Sequence, residues 1–144
     1  MEICFYDISE IDDGLLKYAV IVSRYKGKWV YCKHRDRITW EIPGGHRETD
    51  ERIFDTAKRE LFEETGALRF DIKPICIYSV KTETESFGLL YFAEIFEFQP
   101  MLEAEIEKIA FFDYEPDSLT YPEIQPKLFL KVLEILCDVR LKNE

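Results

Sequence analysis

Gly44-Gly45-His46-Arg47-Glu48-Thr49-Asp50-Glu51 and, after residues 52–58, Arg59-Glu60-Leu61-Phe62-Glu63-Glu64-Thr65-Gly66 set a glycine pair and an acidic loop before a segment that carries three carboxylates and stops at a glycine. The spacing predicts a helix for the second half. At 3.6 residues per turn Glu60, Glu63 and Glu64 fall within an arc of about 100°. On the same wheel Ile53, Phe54, Ala57 and Leu61 form an apolar stripe whose edge overlaps Glu60 and Glu64, so the carboxylates border the core. Like charges one turn apart repel and lose hydration when half-buried, an objection that a bound cation removes. Carboxylate and backbone carbonyl oxygens are what hard Mg²⁺ or Mn²⁺ prefers, completed by waters and substrate phosphates. Arg59 stands four residues before Glu63 and is placed to hold it by a charge-assisted bond. Gly66 suits the left-handed position that ends a helix, and Thr49 or Asp50 is the expected cap at its start. Gly44-Gly45 reads as a tight turn whose carbonyl approaches the metal. The plainer alternative, a solvated acidic face, is what most charge runs are.

From Gly45 to Ala67 the chain resembles the Nudix box, G-x5-E-x7-R-E-U-x-E-E-x-G-U with U a bulky apolar residue. Gly45, Glu51, Arg59, Glu60, Leu61, Glu63, Glu64 and Gly66 match at the required spacing. Ala67 departs from the last position, with Leu68 beside it, and Asp50 stands where members often carry glycine. The resemblance implies an α/β/α sandwich across most of the chain and hydrolysis of a nucleoside diphosphate linked to another group, by water attack on phosphorus with divalent metal help. It makes Glu60, Glu63 and Glu64 metal ligands or general base, with Glu60 favoured as base, Arg59 beside them in the catalytic set, and Gly44 offering its carbonyl. Glu51 becomes a loop-ordering or second-metal residue, and Glu105 or Glu107 a candidate carboxylate from outside the box. Glu48 matches a glutamate that many members carry after the double glycine. Mg²⁺ is the expected ion, with Mn²⁺ as alternative. The run Trp40-Glu41-Ile42-Pro43-Gly44-Gly45 resembles the MutT-like branch that removes oxidised nucleoside triphosphates such as 8-oxo-dGTP. ADP-ribose, dinucleoside polyphosphates, capped RNA and a non-catalytic nucleotide-sensing domain are the alternatives.

The 144 residues are expected to form a single domain, 1–144, with 47% hydrophobic and 15% aromatic residues to fill its core. Twenty-nine acidic against 19 basic residues give a net charge of −10, which argues against DNA or an anionic membrane as partner. A nucleotide would need a divalent ion and local cations, for which Lys33, Arg35 and Arg37 are candidates. Cys4, Cys32, Cys76 and Cys137 are widely spaced; with no signal peptide and no long apolar run they read as reduced thiols in a cytoplasmic protein. With His34 and His46 as the chain's histidines, no zinc site is expected, and neither histidine is given a catalytic task.

Around the box, strands are expected at residues 2–7, 18–23, 29–33, 71–80 (irregular at Pro74), 88–98 and 106–112, with hairpins joining the second to the third and the fourth to the fifth. Pro43 is expected to end an extended stretch from Thr39. Apolar residues at helical spacing predict a second helix over 122–141. Strands before a helix, more strands and a final helix give an α/β (α+β) fold with a mixed sheet between two helices. A homodimer through residues 88–98 or the last helix is a further expectation.

Overall fold

The computed structural model describes residues 1–100 and 106–142. Seven strands, β1 (Glu2–Tyr6), β2 (Leu16–Tyr25), β3 (Lys28–His34), β4 (Gly44–His46), β5 (Ala67–Lys81), β6 (Glu85–Phe98) and β7 (Ile106–Phe112), accompany two helices, α1 (Ile53–Thr65) and α2 (Gln125–Lys142). The sheet runs β1-β5-β6-β2-β3-β7, with β4 added beside β2. Only β2 and β6 run parallel among these pairings.

Each central strand sends alternate residues to opposite faces. Ala19 and Ile21 of β2, Val30 of β3, and Leu89, Tyr91, Ala93 and Ile95 of β6 pack with Ile53, Ala57 and Leu61 of α1. Val20, Val22, Tyr31, Leu90 and Phe92 pack with Leu128, Phe129 and Val132 of α2. A sheet covered on both sides needs both alternating sets apolar, which is why Ala19–Val22 and Leu89–Ala93 are continuous apolar runs. The mixed sheet between two helices expected from the element order is the observed fold. Lys26 (φ 49°) and Gly27 (φ 80°) turn β2 into β3, and β5 pairs with β6 through most of its length, with a register shift between Pro74 and Cys76.

Four expectations are corrected. The chain does not leave the sheet at Pro43: that carbonyl accepts the Ile21 N–H at 2.8 Å, and Gly44–His46 continue as β4. The glycine pair is therefore strand rather than turn, and neither glycine has a positive φ. Its purpose is close approach, because a Cβ on Gly44 would lie 2.6 Å from the Ala19 carbonyl oxygen and 3.0 Å from the Val20 Cα. Neither Thr49 nor Asp50 caps α1. The N-cap is Arg52, without a side-chain bond, and Asp50 instead takes a left-handed φ of 65° in the preceding loop. At the other end Gly66 adopts φ 77° and returns its N–H to Phe62, as expected. Phe54 lies outside the α1 stripe, half-exposed against the Tyr91 ring.

Candidate active site

Strand β4 lies between β2 and α1, and its alternation builds the site. Pro43 and Arg47 direct backbone bonds at β2. Gly44 and His46 face the other way: the Gly44 N–H donates to Glu64 Oε1 at 2.7 Å, and the His46 carbonyl accepts from Arg59 Nη2 at 3.1 Å. A strand residue projects its N–H and C=O to the same side, so the Gly44 carbonyl also looks toward α1. A methyl group on Gly45 would run into the Glu60 carboxyl. The two glycines thus let the backbone lie directly against the helix's carboxylates.

The arc of three glutamates spans the seam between core and solvent. Glu64 is 5% exposed, Glu60 is largely covered, and Glu63 is half-exposed with one link to Arg59 at 3.3 Å. Burial pushes the Glu64 carboxyl up to about 7, against the opposing pull of the Gly44 N–H and His34. Burial raises Glu60 as well, opposed by its 2.8 Å bond to Arg59. Burial outweighs the cations beside Glu60 and Glu64, and carboxylate oxygens beside a backbone carbonyl are the donor chemistry of a hard divalent ion. Glu60, Glu63, Glu64 and the Gly44 carbonyl therefore fit such an ion.

Arg59 does more than reach Glu63. Its Nε and Nη2 clasp Glu51 at 2.8 and 3.0 Å, and Nη1 holds Glu60. Glu51 also accepts from the Thr56 hydroxyl at 2.7 Å and the Glu48 N–H at 3.1 Å. The Arg59 bonds hold its carboxyl down at about 2. Glu51 and Arg59 together tie the loop of residues 47–52 to α1, the loop-ordering alternative for Glu51. Glu48 is mostly exposed, 3.7 Å from Arg59. Glu105 lies outside the described residues, and so does the side chain of Glu107.

Beside Gly44 and Gly45 opens a cleft of about 470 Å³, with Tyr18, Val20, Ile42, Tyr78, Leu128 and Gln125 in its walls. Gln125 Oε1 accepts the Ile42 N–H at 2.8 Å, which turns its amide nitrogen into an available donor. Arg35 and Arg37 line an adjoining hollow with His34, Glu41 and Tyr121; Arg37 is drawn to Glu41 at 3.1 Å. Lys33 instead lies over the Trp40 ring.

One grouping was not visible in the spacing. Cys32, His34, Glu41 and Glu64 converge with their ligand-type atoms within 4.8 Å of one another. His34 Nε2 is 2.8 Å from Glu41 and 2.9 Å from Glu64. Cys32-x-His34 in a strand was the available signal, since residues two apart share a face.

A model of the NUDIX domain matches residues 16–126. The chain belongs to the NUDIX family. A Bacillus subtilis (strain 168) protein provisionally named the 8-oxo-dGTP diphosphatase YtkD is 38% identical over 80 residues, covering 55% of this chain and 50% of that one. The chain thus spans about half the length of that relative. Among solved structures, the Bacillus subtilis pyrophosphohydrolase BsRppH superposes with a TM-score of 0.74 at 26% identity, covering 92% of this chain and 89% of that one. An Ap4A hydrolase from C. elegans gives 0.66 at 20% identity, covering 85% and 99%, and shares the fold. The first two are named as a diphosphatase and a pyrophosphohydrolase, in agreement with the hydrolase activity implied by the box. No helix among the described residues is long and apolar enough to cross a membrane.

Proposed function

We propose that this NUDIX chain is a Mg²⁺-dependent pyrophosphohydrolase that converts a nucleoside triphosphate, including oxidised forms such as 8-oxo-dGTP, to the monophosphate and pyrophosphate. The observation that carries it is the placement of Glu64 and Glu60 against the bare backbone of Gly44 and Gly45, with Glu63 beside them on α1, where the two glycines also line the cleft. Glu60, Glu63, Glu64 and the Gly44 carbonyl would hold Mg²⁺, or Mn²⁺ in its place. When bound, the ion neutralises charge on the bridging phosphates.

The chain's own groups do the rest. Glu60, half-buried and steadied by Arg59, takes the proton from the attacking water, and burial brings its basicity closer to neutral pH. Arg59 is a positioning residue: it fixes Glu60, Glu51 and the His46 carbonyl in one relation. Tyr18 and Tyr78 line the cleft wall, and the Gln125 amide nitrogen offers a donor to a base edge. Arg35 and Arg37 lie where a polyphosphate leaving the cleft would pass.

The provisional diphosphatase name of the Bacillus subtilis relative supports the triphosphate reading, and the BsRppH likeness supports pyrophosphate as the group released. The test is pyrophosphate and phosphate release, with and without Mg²⁺, across ordinary and oxidised nucleoside triphosphates, ADP-ribose and diadenosine polyphosphates. Mg²⁺-dependent pyrophosphate release, highest with an oxidised triphosphate, is expected. Turnover confined to ADP-ribose or a dinucleoside polyphosphate would overturn the substrate. Nucleotide binding without turnover would leave a sensing domain instead.

A further inference from the structure

The far side of Glu64 faces a second set of donors with different chemistry. Cys32 and His34 alternate along β3 and share a face. Glu41 is locked opposite Cys32 by a reciprocal pair of backbone bonds, both 2.9 Å, so its carboxylate joins that face. Glu64 closes the group from α1: one carboxylate oxygen is held by the Gly44 N–H, and the other points at His34 and Cys32, 2.9 and 3.6 Å away. Three separate segments therefore deliver a thiol, an imidazole and two carboxylates to one spot, and Cys32, Glu41 and Glu64 are buried there.

Hydrogen bonding alone accounts poorly for this convergence. A ring nitrogen carries at most one hydrogen, yet His34 Nε2 has a carboxylate oxygen at 2.8 Å and another at 2.9 Å. Usual zinc bond lengths, about 2.3 Å to sulfur and 2.0–2.2 Å to nitrogen or oxygen, put tetrahedral S···O pairs about 3.6 Å apart and N···O pairs about 3.3 Å apart. The Cys32–Glu64 separation already has that value, at 3.6 Å. The two N···O pairs would open by about half an ångström around an ion of that size. Arg37, 3.1 Å from Glu41, offsets the excess negative charge of a thiolate and two carboxylates around a dication.

We propose that Cys32, His34, Glu41 and Glu64 form a binding site for a borderline divalent transition ion, best matched by Zn²⁺. A thiolate and an imidazole select against Mg²⁺, so this site is chemically distinct from the all-oxygen set on the other side of Glu64. Binding releases the thiol proton, and affinity therefore rises with pH. Glu64 belongs to both sets, and Zn²⁺ held here withdraws it from the other. The site thus acts as an inhibitory input; that consequence rests on the function proposed above, while the binding itself does not.

The test uses the full chain, kept reduced without added thiol, titrated with Co²⁺ as a spectroscopic stand-in and then with Zn²⁺. A near-ultraviolet thiolate-to-Co²⁺ charge-transfer band that saturates at one ion per chain and is bleached by Zn²⁺ is expected. Cys32→Ser should abolish the band, whereas Cys137→Ser, at an exposed thiol, should keep it. His34→Gln changes a half-exposed side chain at the end of β3. It should fold and lose Zn²⁺ affinity by roughly tenfold or more, the loss that removal of even an outer partner brings to a metal site. No charge-transfer band in the unaltered chain, a band that survives in Cys32→Ser, or a folded His34→Gln that binds Zn²⁺ as tightly as the unaltered chain would each overturn the site. None of these readouts depends on hydrolysis.

Discussion

Glu64 carries opposed demands on a single side chain. Its carboxyl titrates at about 7 in the folded chain against 4.5 when unperturbed. The raised value means that the folded state holds the proton more tightly. Its contribution to stability is complete below pH 4.5 and is lost as pH rises toward 7. Glu64→Gln stays neutral throughout, so the metal-free variant should melt above the unaltered chain at pH 8 and lose that advantage at pH 4.5. Its hydrolysis should fall by about 10²-fold or more, and a retained rate within tenfold would remove Glu64 from the site. Glu51 has the reverse sign. Clasped by Arg59, it is held at about 2, so its stabilisation is present above pH 4.5 and lost as pH falls through 2. Glu51→Gln should melt lower than the unaltered chain at pH 7, and thermal melts toward pH 2 should show the gap closing.

Strand β4 separates two kinds of glycine. A methyl at Gly44 meets fixed backbone, the Ala19 carbonyl oxygen and Val20 Cα, and overpacking of this kind costs about 1–3 kcal/mol. A methyl at Gly45 meets the end of the Glu60 side chain, which can move. Gly44→Ala should therefore lower the melting temperature, whereas Gly45→Ala should leave it nearly unchanged while cutting kcat. Equal thermal losses in the two variants would contradict this division. The same strand shows how far a sequence can be read. The box spacing and the apolar wheel placed α1, its Gly66 end and the three carboxylates, because those depend on contacts one turn apart. The apolar runs at 18–23 and 88–98 marked strands for the same local reason. A glycine pair after a proline, however, looks alike as a turn or as a strand pressed against a helix; only the positions of β2 and α1 distinguish them. Convergence of Cys32, Glu41 and Glu64 depends likewise on β3 pairing and helix docking, which no local pattern records.

For the whole molecule, a net charge of −10 and three carboxylates on one arc of α1 argue that a divalent ion stabilises the fold as well as serving chemistry. An ion bound only by the folded state at 100 times its Kd adds about 2.7 kcal/mol. Mg²⁺ should raise the melting temperature of the unaltered chain, measured by calorimetry at pH 8, and raise that of Glu64→Gln much less. An equal shift in both would place the bound ion elsewhere.

The parallel contact between β2 and β6 also orders events in time. The β2–β3 and β5–β6 hairpins close from nearby residues, but joining them brings Ala19 to Leu89 and Ile21 to Tyr91, across all of β3, β4, α1 and β5. Such distant closure is slow relative to hairpin formation. A nascent chain cannot join the two hairpins until the segment through Phe98 has been made. Until then the apolar residues of β2 that later face β6 have no partner strand, so the stage most exposed to aggregation comes before the box helix can be held in place.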